Sequence, residues 1–151
     1  MIFRMIKYCP ILPLVLVFIL FSCNQKTFMN IEEIPRPPEA KPGTIDGRYE
    51  VTLDAATSSI LTELKKNYAK TEEKILFLPA ETDAAKIFDF YTPIMTGKGF
   101  AKDAGVPLQG KNYQQNVWKK DNQAVAVAVI EAGKDADGKA IKFLAIYRGE
   151  K

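Results

Sequence analysis

The sequence predicts an α+β domain, with two amphipathic helices packed on a mostly antiparallel sheet of four to five strands that ends in a three-strand meander. Three observations predict it. Apolar residues recur at helical spacing in two stretches, 60–68 and 84–95. From residue 112 onward, runs at strand spacing are separated only by short polar turns. Within that region "QAVAVAVIEA" is apolar on both faces, which a sheet covered on one side would not be.

The elements follow in order. In "RYEVTLD", Tyr49, Val51 and Leu53 alternate with polar residues, the period of a half-buried strand. Asp54 is then placed to cap a helix in which Ile60, Leu61, Leu64 and Tyr68 form one stripe. "KILFLP" reads as a short buried strand. Thr82 or Asp83 can cap a second helix, with Ala84, Ile87, Phe88, Tyr91 and Ile94/Met95 on its inner face. Gly97 is expected to close it, and Pro93 to bend or divide its last turn. "GKGFAKDAGVPLQG" reads as a loop with Phe100 turned inwards. "NYQQNVWKK", "QAVAVAVIEA" and "AIKFLAIYRG" make the meander, joined at Asp121-Asn122 and through "GKDADGK". In its middle strand, alanines on one face would let a helix approach closely while valines fill the other.

The chain has 151 residues, 47% apolar and 26% charged, enough for one core and too few for two large domains. Its formal charge of +3 includes Arg4 and Lys7; after them 19 basic residues face 18 acidic ones. That balance gives no concentrated positive field, and no nucleic-acid partner is expected. Histidine is absent, which removes histidine bases, the usual nucleophile triads and most mixed-ligand zinc sites.

The N-terminus has a separate logic. Arg4 and Lys7 precede the uncharged stretch 8–21, which carries Pro10 and Pro13 and ends at Ser22-Cys23. Positive, then apolar, then small is the layout of an export signal. At 14 positions the stretch falls short of the ~20 residues a membrane-spanning helix needs. Leu20-Phe21-Ser22-Cys23 resembles the lipobox of bacterial lipoproteins, relaxed at Phe21. That resemblance implies cleavage before Cys23, a thioether-linked diacylglycerol on its sulfur, and often a further acyl group such as palmitate on the new amine. Asn24 follows the cysteine in place of aspartate, which under the enteric sorting rule favours the outer membrane over inner-membrane retention. Two or more chains make attachment to a bilayer stable.

The resulting division is a signal peptide over 1–22, a lipidated N-terminus and Pro-rich tether over 23–48, and one domain over 49–151. Pro35, Pro37, Pro38 and Pro42 favour extended chain, so the tether is expected to be a spacer. The competing reading is an ordered arm held down by Phe28, Met29, Ile31 and Ile34.

Candidate chemistry is thin. Serine occurs only at 22, 58 and 59. "KDADGK" starts like a calcium loop but lacks its later oxygen ligands, so a hairpin turn is the better reading. No catalytic residue, metal ligand or cofactor is assigned. Asp83 and Asp89 are six positions apart and poorly placed to share a helix face. The candidate binding patch is aromatic: Trp118 above all, with Tyr113, Phe90 and Tyr147. Tyr113 and Trp118, five apart on one strand, should point to opposite faces. The leading expectation is a lipid-anchored envelope domain that binds or scaffolds a protein partner. Binding of an envelope glycan or lipid is second, and a hydrolase using carboxylates third.

Overall fold

In the computed structural model, residues 27–105 and 109–151 are described. The signal segment, Cys23 and residues 106–108 lie outside them. Helix α1 (Gly47–Lys65) begins eight residues earlier than a cap at Asp54 after the alternation of Tyr49, Val51 and Leu53 suggests. Asp46 rather than Asp54 caps it, its side chain accepting a hydrogen bond from the Arg48 backbone N–H at 3.0 Å. The buried stripe is Leu53, Ala56, Thr57, Ile60 and Leu64, with Tyr49 partly buried one turn before it. Val51 is 79% exposed, which a strand reading cannot accommodate. Spacings of three and four, read back to Tyr49, outweigh a three-residue alternation.

Strand β1 (Lys70–Leu78) follows, then helix α2 (Ala84–Gly97), capped by Asp83 through the Ala85 N–H at 3.0 Å. The helix continues through Pro93 as one element. Its end is set at Gly99, not Gly97. Gly99 has φ +81°, its N–H donates to Thr96, and the Phe100 N–H donates to Met95, both at 2.9 Å. This is a Schellman end, and it turns Phe100 into the core beside Met95.

The sheet is entirely antiparallel, in the order β1-β5-β4-β3-β2, with β2 (Ala101–Lys102), β3 (Tyr113–Lys120), β4 (Gln123–Lys134) and β5 (Ala140–Glu150). The last three strands are the expected meander. Ala124, Ala126 and Ala128 face α1, and Val125, Val127 and Val129 face the other way. The small residues therefore lie under the helix, as the sequence suggested.

The valine face is covered by α2 together with the segment that precedes α1. Phe28, Ile31, Ile34 and Ala40 are buried in one cluster with Ile87, Tyr91, Met95, Trp118, Val125 and Ile146. A short 3-10 turn (Ile31–Glu33) presses Ile31 inward, and Lys41 forms an isolated antiparallel bridge to Phe77. Tyr91 reaches across to donate to the Pro35 carbonyl at 2.9 Å. Residues 27–41 are therefore an ordered arm and not the spacer that proline density suggested. Prolines exclude helix and ladder, but they do not prevent apolar neighbours from docking. The result is three layers: α1, sheet, and α2 with the arm.

Candidate functional site

The four aromatic candidates do not form a patch. Trp118 is 1% exposed and lies beneath the arm on the valine face. Tyr147 is wholly buried on the α1 face. Tyr113 is half-buried on that same face, its hydroxyl 3.4 Å from Ser59 Oγ. Phe90 is half-buried against the valine-side cluster, edge-on to Tyr91 with ring centroids 5.1 Å apart. Strand alternation does separate Tyr113 from Trp118, but because both faces are covered, both directions lead into core. The two aromatics do lie on opposite faces, as their spacing requires, but the second face is core as well, so leaving one face does not expose Trp118.

What the fold exposes instead is a broad polar groove of about 770 Å³ at one end of the sheet. Its lining comes from the start of β3, the end of β4 and the N-terminus of α2, with Thr52 of α1 at the side. Asp83 and Glu131 contribute negative charge; Lys111, Lys134 and Lys142 contribute positive charge. Lys142 Nζ donates to the Thr82 carbonyl at 2.8 Å, tying the β1–α2 connection to β5. A bulge between Glu131 and Gly133, where Gly133 has φ +143°, turns the end of β4 along the rim. Asp83 and Glu131 meet in this lining while Asp89 does not, so the carboxylates are sorted differently from their sequence spacing. Tyr113 is the one aromatic candidate that reaches the groove.

"KDADGK" is a turn: Asp135 Oδ1 accepts from the N–H groups of Asp137 and Lys139, each at 2.9 Å, and Gly138 has φ +77°. No group of three or more potential metal ligands occurs among the described residues.

A smaller concavity of about 190 Å³ lies between the end of α1 and β3. Asp103 pairs there with Lys119, whose hydrogen bond holds the carboxyl below its usual range; Asp103 raises Lys119 in return. Burial pushes Tyr68 up beside them.

At the opposite end of the strands from the groove is a buried polar cluster that fixes the arm. Arg148, 3% exposed, donates from Nε to the Phe28 carbonyl at 2.9 Å, from Nη1 to Glu72 at 3.1 Å and from Nη2 to Glu150 at 2.8 Å. Gln123 Nε2 donates to the same Phe28 carbonyl at 2.9 Å. Glu72 Oε2 accepts the Ile31 N–H at 2.6 Å. Lys98 Nζ stands 4.6 Å from the centroid of the Phe28 ring. One backbone carbonyl and one backbone N–H of the arm are thus held by side chains from β1, β4 and β5. The sequence did carry a signal for this. Arg148 continues the face of Leu144 and Ile146 on a strand apolar on both sides, and a charge there requires buried partners.

Comparison with protein-family models, curated proteins and solved structures found no match. The functional reading therefore stands on the residues alone.

Proposed function

We propose that this chain is a lipid-anchored domain of the bacterial cell envelope that offers its polar groove to a protein partner. The observation that carries the reading is polarity of placement. The arm that would lead from an acylated Cys23 is fixed at one end of the strands, and the groove opens at the other. Gln123, in the cluster, and Glu131, in the groove, are eight positions apart on one strand, about 26 Å at a rise of ~3.3 Å per residue. An anchored body would therefore point its concavity away from the lipid. The lipobox resemblance at Leu20-Phe21-Ser22-Cys23 supplies the anchor in this reading, and Asn24 favours the outer membrane.

Mixed charges in the groove suit a partner with complementary charges, where steering and register matter more than apolar area. A glycan ligand is the second reading. Several exposed aromatics in the groove would favour it, and of the aromatic candidates Tyr113 alone reaches the lining.

The test is photo-crosslinking in intact cells from probes replacing Gln114, in the groove, and, separately, Asp89, exposed on α2 and outside the lining. The groove probe is expected to give a discrete protein adduct, lost in Lys111→Glu/Lys134→Glu with the melting temperature unchanged. Adducts that survive the charge reversal, or that form equally from Asp89, would contradict the groove assignment. An adduct to glycan alone would select the second reading.

A further inference from the structure

We propose that the end of the body around the Arg148 cluster is a membrane-facing surface that meets anionic lipid headgroups. The inference rests on the reading of Cys23 as the anchor. Phe28 is five residues from Cys23, and five residues span at most about 18 Å. With the Phe28 carbonyl fixed by Arg148 and Gln123, the body cannot stand off at the length of its whole proline-rich segment. That end is held within about two Debye lengths of the lipid surface at physiological salt.

Charge is distributed accordingly. Trp118, Val125, Arg148 and Glu72 lie in one cross-strand row. Around and beyond it, α1 ends on Lys65 and is followed by Lys66, β1 starts at Lys70, and β3 ends at Lys119 and Lys120. Lys98 caps α2, Lys102 lies on β2, and Lys151 follows β5. With Lys74 on β1 and Arg148 these ten basic side chains face eight acidic ones: Glu32, Glu33, Glu63, Glu72, Glu73, Asp103, Asp121 and Glu150. Over 27–151 the count is 18 against 18, so the surplus at this end is matched by a deficit elsewhere. Glu63, Glu72, Asp103 and Glu150 already have ion-pair partners within the cluster. Lys65, Lys70, Lys102 and Lys151 are exposed around the rim.

A second, independent observation points the same way. Among the described residues the exposed large hydrophobic side chains are Met29 and Val51. Met29, 73% exposed, directly follows the fixed Phe28 and so sits at this end. A flexible exposed apolar side chain at the same end as the rim lysines matches the boundary between headgroups and acyl chains. Basic residues near an anionic bilayer each strengthen binding roughly fivefold, so a rim of four is enough to set the body's orientation.

The experiment uses the full-length product extracted from membranes and reconstituted into phosphatidylcholine vesicles with or without phosphatidylglycerol. An amine-reactive reagent is applied briefly, and labelling is read lysine by lysine by mass spectrometry. Labelling of Lys65, Lys70, Lys102 and Lys151 is expected to slow at least threefold on the anionic vesicles relative to the neutral ones. Lys86, Lys111, Lys134 and Lys139 are expected to be unaffected, and raised salt to remove the difference. No difference between vesicle types, or equal slowing at all eight lysines, overturns the proposal. The intact mass of the same sample reports the anchor separately: an unmodified Cys23 refutes lipidation, while the labelling ratio still decides which face meets lipid.

Discussion

Replacing Arg148 by Met removes the guanidinium and keeps most of the side-chain volume. The substitution deletes three donors, to Phe28, Glu72 and Glu150. Breaking a buried ion pair from one side costs ~3–5 kcal/mol. Here Glu72 and Glu150 have side chains 37% and 29% exposed, so water can rehydrate them in part. The Phe28 carbonyl also keeps its bond from Gln123. The low end of the range applies, about 3 kcal/mol. With a urea slope of ~1.5 kcal/mol per molar, the midpoint should fall by about 2 M. In the double variant Arg148→Met/Glu72→Gln one of the two orphaned carboxylates is gone while Glu150 remains, and the loss should be smaller than the sum of the two single losses by at least ~1 kcal/mol. Hydrogen exchange at the Ile31 amide, held by Glu72, should quicken in Arg148→Met before exchange in β4 does. A midpoint within 0.5 M of wild type, with Ile31 still protected, would show that the arm does not depend on this cluster.

Three further outcomes test other parts of the structure. Tyr147 has a buried hydroxyl with no partner among the described residues, so Tyr147→Phe should be neutral or raise stability by about 1 kcal/mol, read as an unfolding midpoint. Burial holds the hydroxyls of Tyr91 and Tyr147 well above the ordinary tyrosine value. Raised folded values mean that their contribution is fully present below about pH 10 and is lost as pH rises beyond it. Stability should therefore fall by up to ~1.4 kcal/mol per pH unit per tyrosine above pH 10, and stay flat in this respect from pH 6 to 9. Val51→Ala should be neutral or slightly stabilising because the position is exposed on a helix; a loss of ~2 kcal/mol or more would restore the strand reading.

How much could be read in advance depended on how local the signal was. The meander, α2 and the division of alanines from valines in β4 follow from periodicity, and the structure has all three. The start of α1 is masked because three alternating residues mimic a strand, whereas the signal for helix is the spacing of Tyr49 to Leu53, Ala56 and Ile60, eleven positions apart end to end. The groove was not legible, because it is assembled from Asp83, Lys111, Glu131 and Lys142, whose meeting depends on topology. In the sequence the ordered arm stands second to a spacer. Proline density argued for a spacer, while the decisive partner of Phe28 is Arg148, 120 residues away. Two of the aromatic candidates, Trp118 and Tyr147, are core for one common reason: two-sided burial, evident in the sequence for β4, extends to β3 and β5 as well.

The most direct measurement is the intact mass of the protein extracted from membranes, followed by fragmentation of its N-terminal peptide. A chain beginning at Cys23 and carrying a diacylglycerol, with or without an amide-linked acyl group, is the predicted result. A chain that retains Met1, or one that begins elsewhere with a bare thiol at Cys23, contradicts the anchored reading.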